Sequence, residues 1–224
     1  MENLKDYREK ELKNYFIGNI LILLFSLKRF YEVFLAVIPS SAANDTNVVN
    51  LLIAFLTSAF VSLIIYIYLF ILDSLFIGDF KTSVCNLWRT LPGEIIFEDI
   101  KKSNKDKRFA RNAVENKYSE IYLKLNGLHG KEKKQYSNSA WYDIYKKHKD
   151  ESMIFVANRD YLLCRDICFS TLFIILIYVI LVIFGFSFFS WKYLVFLCLE
   201  LALSNIAMRS KGSRLAYNVI AADI

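Results

Sequence analysis

The stretch ICFSTLFIILIYVILVIFGFSFF, Ile167–Phe189, holds no charged residue, and roughly 20 apolar residues are what a helix needs to cross the hydrocarbon core of a bilayer. Three further runs accompany it: Tyr15–Ile38, Asn50–Ile77 and Trp191–Met208. With 55% hydrophobic and 16% aromatic residues, seven Gly and two Pro in 224 residues, the chain has more apolar material, in longer runs, than a soluble domain uses. The run lengths predict an all-α membrane protein with four transmembrane helices arranged as two hairpins. A shallow or re-entrant first segment is the competing arrangement for Tyr15–Ile38. That run follows a charged arm and lacks a small-residue cleavage site, so it is expected to stay in the mature chain.

Basic residues set the orientation. The connection Pro39–Val49 has no Lys or Arg, and Lys192 is the one charge between the third and fourth runs. The segment Gly78–Asp166 holds 18 of the 28 basic residues. The expected domains are therefore a cytoplasmic arm (1–14), a hairpin (15–77), a basic helical insert (78–166), a second hairpin (167–208) and a cytoplasmic tail (209–224). Both termini are expected in the cytoplasm, where disulfides are rare. Cys85, Cys164, Cys168 and Cys198 all fall in the cytoplasm or the membrane by this topology, and Cys164 and Cys168, which share a helical face but lack further ligands for a metal, read as small buried hydrophobes.

Within the arm, Leu4, Tyr7, Glu11 and Tyr15 fall at helical spacing and predict a helix continuous with the first run. In the insert, Leu91-Pro92-Gly93-Glu94 predicts a turn and a helix start. The stripe Ala110, Val114, Tyr118, Ile121 and Leu125 predicts one amphipathic helix, stopped by Asn126-Gly127. Gly130–Ser139, polar and lysine-rich, reads as a loop. A further helix is expected from near Ser139, running through 153–165 into the third run. Having few large aliphatics, the insert is not expected to form an independent core.

Charged groups at membrane depth cost a few kcal/mol each, so they face protein or water. Lys28, Arg29 and Glu32 lie in the first run, with Asn19 and Ser26 on its cytoplasmic side. Glu200, followed by Ser204 and Asn205, lies midway along the fourth. The first run travels outward and the fourth inward, so Lys28 or Arg29 and Glu200 share a depth. Two arrangements satisfy them: a structural pair within one subunit, which is favoured, or the wall or gate of a water-filled path. A proton or substrate relay is a third. Ser58, Ser62, Tyr66 and Asp73 form a stripe on the second run that reads as a packing face or, alternatively, a pore wall. Four closely packed helices leave no channel, so a pore requires several copies; the expected assembly is a homo-oligomer, taken as a tetramer.

The insert carries 18 basic and 13 acidic residues. One dense cluster comprises Lys101, Lys102, Lys105, Lys107, Arg108 and Arg111. The other comprises Lys131, Lys133, Lys134, Lys146, Lys147, His148 and Lys149, interleaved with Tyr136, Trp141, Tyr142 and Tyr145. Basic residues among aromatics suit nucleotide or single-stranded nucleic acid, and equally an anionic lipid surface; an acidic partner protein is a further candidate. Metalloprotease, phosphate-loop and nucleophile-elbow patterns are missing. His129 and His148 read as solvated surface. No catalytic residue, metal or cofactor is expected, and an enzyme is disfavoured.

The arm, the two hairpins, the basic insert from Leu91-Pro92-Gly93-Glu94 onward and the tail Arg214–Ile224 together resemble small multi-span membrane effectors of bacterial anti-phage defence, such as the membrane components of the Hailong and Kiwa systems. The resemblance is one of organisation over the whole chain. It implies a homo-oligomer of the bacterial inner membrane whose cytoplasmic part senses a nucleotide, nucleic acid or partner protein and whose membrane part then opens an ion pore. A membrane scaffold that recruits a cytoplasmic partner without conducting ions is the alternative, and a small transporter a third, disfavoured by the missing internal repeat.

Overall fold

The structure, a computed structural model, describes residues 4–24, 52, 56, 59–60, 63–64, 66–68, 70–71, 74–86, 90–103 and 106–224. Its elements are helices, with no strand among the described residues: α1 (Leu4–Leu24), α2 (Gly78–Cys85), α3 (Pro92–Lys102), α4 (Arg111–Lys117), α5 (Ser119–Gly127), α6 (Gly130–His148), α7 (Ser152–Ile183) and α8 (Trp191–Asp223). The described residues between 52 and 75 are helical as well. Two helices, α7 and α8, are long and apolar enough to cross a membrane, with mean hydropathies of 2.7 and 1.4 over their most apolar windows.

The chain divides into two compact units. The hairpin unit draws on Lys5–Lys81 and Asp166–Leu203, the insert unit on Thr82–Arg165 and Ser204–Ile224. Helices α7 and α8 contribute residues to both.

In the hairpin unit, α1 buries Leu12, Phe16, Ile20 and Leu23 against Ile174 and Tyr178 of α7 and Tyr193 and Leu197 of α8. Those α1 spacings of four, four and three place one stripe on one face. Gly185 turns the chain between α7 and α8 at φ +75°, a conformation open to glycine without a Cβ penalty. Buried Tyr178 ties this turn: its hydroxyl accepts from the Ser190 amide (2.7 Å) and faces the Phe188 carbonyl at 3.2 Å. Phe76, Phe80, Phe169 and Phe173 form an aromatic cluster with ring centroids 5.0–6.2 Å apart.

The insert unit has a core of its own. Ile96, Phe97 and Ile100 of α3, Val114, Tyr118, Tyr122, Leu125, Ile144 and Ile154 pack against Leu215, Ala216, Val219 and Ile220 of α8. The segment 209–224 is therefore not a loose tail: it supplies the aliphatics that the insert lacks. Helix α3 begins as expected, with Pro92 in its first turn and the Glu94 carboxylate accepting from the Leu91 amide at 2.9 Å. Gly93 lets α6 come close; a Cβ there would lie 2.5 Å from Asn138 Oδ1 and 2.9 Å from the Trp141 ring.

Two local expectations are corrected. Gly130–Ser139 is the first half of α6, since Lys, Glu and Gln are good helix formers and the Ser137 hydroxyl donates to the Gly93 carbonyl (2.9 Å) in the interface with α3. The stripe from Ala110 to Leu125 is two helices broken at Tyr118 (φ −106°, ψ 30°). The helix into the third run exists, but the chain breaks at 149–151 before α7 begins.

Candidate functional site

Two groups of polar residues stand out, one in each unit. In the hairpin unit, Glu200 of α8 accepts from the Asn19 side-chain amide of α1 at 3.2 Å. The same amide donates to the Tyr15 carbonyl (3.3 Å). The Tyr15 hydroxyl meets Thr171 Oγ1 at 2.7 Å, and Thr171 donates to the Ile167 carbonyl at 2.8 Å. Tyr193, two turns before Glu200 on the same face of α8, is buried and packs edge-on to Tyr178 with centroids 4.8 Å apart. Asn19 Oδ1, Glu200 Oε2 and Tyr193 Oη are shielded from solvent and have no hydrogen-bond partner among the described residues. Asn19 and Glu200, singled out separately from sequence, thus come together. Lys28, Arg29, Glu32, Ser26, Ser58, Ser62 and Asp73 lie outside the described residues.

The hairpin unit also holds a buried charge pair. Lys81 and Asp166, with side chains 6% and 1% exposed, sit 3.9 Å apart, and the Lys81 ammonium lies 5.6 Å from the Phe169 ring centre. The signal was available: each flanks an apolar run, Lys81 after the second and Asp166 before the third. The sequence boundaries put both at the ends of the basic insert, 78–166.

In the insert unit, Asn205 donates to the Cys85 carbonyl, which engages it within the fold. Of the second basic cluster, Lys133 pairs with Glu98 (2.6 Å) and Lys146 with Asp143 (3.2 Å). The Lys133 ammonium holds the Glu98 carboxyl below its usual range. Lys131, Lys134 and Lys147 are exposed. The interleaved aromatics are occupied by each other: Trp141 and Tyr142 both stack on Tyr145, with centroids 5.7 Å apart. Trp141 Nε1 donates to the Ala216 carbonyl, and Lys146 sits over Tyr142.

Of the first cluster, Lys105 lies outside the described residues and Arg111 pairs with Glu115 at 2.7 Å. Arg108 grips Asp106, lowering that carboxyl, and reaches Asn218 Oδ1 at 2.9 Å. Together with Lys107, Ser210, Ser213 and Arg214 it lines an open cleft of about 640 Å³. A smaller cavity of about 220 Å³ shares Ser213 and Tyr217 with that cleft and is also lined by Pro92, Asp99, Tyr161 and Arg209. Arg209 Nε and the Tyr217 hydroxyl are shielded and lack partners among the described residues. Two donors and an adjoining basic cleft offer an anionic ligand both charge and directed hydrogen bonds.

Asp223 forms a node that the sequence does not announce. It meets His148 Nε2 (2.8 Å), the Tyr118 hydroxyl (2.6 Å) and Lys117 (3.1 Å), while His148 Nδ1 meets Glu151 at 2.5 Å. The Glu151 and Asp223 carboxylates raise the His148 pKa.

Comparison with family models, curated proteins and solved structures finds no match for this chain.

Proposed function

We propose that this chain is a four-span protein of the bacterial inner membrane, with both termini and the insert unit in the cytoplasm, and that it assembles as a homo-oligomer whose membrane part is controlled through the insert. The observation that carries this is where the large exposed hydrophobic residues fall. Among the described residues, all but Leu123, Tyr142, Met153, Val156, Ile206 and Ile224 belong to the hairpin unit. Leu56, Phe60, Leu75, Ile183, Phe184 and Leu203 are each more than half exposed; in water such a surface drives aggregation, and in a bilayer it faces lipid. The insert unit instead encloses its apolar side chains and carries the lysines outside.

The proposed output is a gated ion pore of the anti-phage effector type. A signal bound at the cleft of Lys107, Arg108 and Arg214, a nucleotide, oligonucleotide or acidic protein, has a covalent route to the membrane along α7 and α8, which belong to both units. Full-length protein in liposomes is expected to pass ions once its ligand or partner is present; tight vesicles under every such condition would overturn the pore.

One observation favours the scaffold alternative. The described polar candidates of the spans, Asn19, Glu200 and Asn205, are all bonded within the chain, as packing contacts between membrane helices are. Tight vesicles combined with retention of one specific cytoplasmic protein by the full-length chain would decide for the scaffold.

A further inference from the structure

We infer that Glu200 and Asn19 form a binding site for a small monovalent cation, a proton or an alkali ion, held between Glu200 Oε2 and Asn19 Oδ1. The inference follows from counting hydrogens. Both hydrogens of the Asn19 amide are placed, one on the Tyr15 carbonyl and one on Glu200 Oε1. The Thr171 proton goes to the Ile167 carbonyl, so in the 2.7 Å contact Tyr15 must donate to Thr171. The Tyr15 hydroxyl also neighbours the Glu200 carboxyl, but with its proton on Thr171 it leaves Oε2 without a hydrogen-bond partner among the described residues. Glu200 Oε2 and Asn19 Oδ1 remain as solvent-shielded acceptors without a donor among the described residues.

The groups facing this point are Tyr15 and Asn19 from α1, Thr171 and Tyr178 from α7, and Tyr193 from α8. None is a cation. Lys81, the buried lysine of this unit, is paired with Asp166, and Lys10, Lys13 and Lys192 are exposed. A carboxylate enclosed by apolar helices, with no positive charge beside it among the described residues, is costly. A proton on Oε2 turns that oxygen into a donor to Oδ1 and closes an amide–acid pair, satisfying both orphaned atoms. An alkali ion instead takes the two oxygens as ligands, as hard cations do. The site stands whether or not the chain conducts.

The test uses full-length protein in detergent, followed by thermal unfolding and infrared absorption. For an alkali ion, replacing choline by Na⁺ at constant ionic strength raises the wild-type unfolding midpoint by about 3 °C or more. For a proton, Na⁺ has no effect, and the wild type shows the carbonyl stretch of a protonated carboxylic acid at about pH 7 that Glu200→Gln lacks. Glu200→Gln puts an N–H where the cation would sit, so its midpoint is expected to be indifferent to Na⁺. Where that variant does not fold, Asn19→Leu, which keeps the carboxylate and removes the second oxygen, must lose the Na⁺ response or shift the carbonyl band. A wild type with neither a Na⁺ response nor a protonated-acid band overturns the site, as does a response retained in full by the variants.

Discussion

His148 sits among lysines in the sequence and reads there as solvated surface, yet it is held between two carboxylates, Glu151 at 2.5 Å and Asp223 at 2.8 Å. Its pKa is raised, first by Glu151 and then by Asp223. A group whose folded pKa exceeds its unfolded value stabilises the fold fully below the unfolded pKa, about 6.5, and loses that contribution as pH rises through the folded value. The Glu151 contact faces solvent and contributes about 0.5 kcal/mol, while the Asp223 contact is partly buried. His148→Gln is expected to flatten the fall in stability as pH rises above about 6.5, read from unfolding midpoints of both proteins from mildly acidic to mildly alkaline pH; an unchanged slope would remove His148 as its cause. What could be read from sequence at this scale was depth: position along a run places Glu200 mid-span. Its bonding partner could not be read, because Asn19 and the more obvious Lys28 and Arg29 all lie on the same run, and only packing brings Asn19 within 3.2 Å.

At the scale of elements, the strong local signals translated directly. Pro92 with Glu94 starts α3, and the helical spacing of the arm continues through Tyr15 in α1. The failures share one cause. Polarity makes Gly130–Ser139 read as a loop, whereas a helix needs only helix-forming residues and one face to bury. Ser137 and Tyr136 provide that face against α3 and its neighbours. The close approach of α3 and α6 depends on Gly93, where an added Cβ meets Asn138 and Trp141. Gly93→Ala is therefore expected to destabilise the insert unit by about 1–3 kcal/mol through overpacking, measured as faster amide exchange across α3 and α6 in the full-length chain. Unchanged exchange in both helices would show that α6 can yield without cost.

Across the whole molecule, the four apolar runs were plain in the sequence, and two of them are described as helices long enough to span. The composition of the insert's core was not legible, because 101 to 123 residues, about half of the chain, separate Phe97 and Val114 from Leu215, Val219 and Ile220 of the same cluster, and no local period reports so distant a contact. Each unit has its own buried cluster, so unfolding need not be all-or-none. Ile220→Ala, at a fully buried site, is expected to cost about 2–5 kcal/mol and to fall on one cluster only. Hydrogen exchange of the full-length variant in detergent should speed up in α3 to α6 and stay as in the wild type around Tyr178 and Leu197; acceleration at both would mean a single cooperative core.

The place of Leu215, Val219 and Ile220 in that core also sets a timetable. During synthesis, α3 to α6 leave the ribosome long before the residues that complete their interior, with the whole α7–α8 hairpin still to be made between them. The insert must wait, incompletely closed, until that hairpin has been produced. A unit completed last cannot reach its final packing before the long apolar helices it shares are in existence.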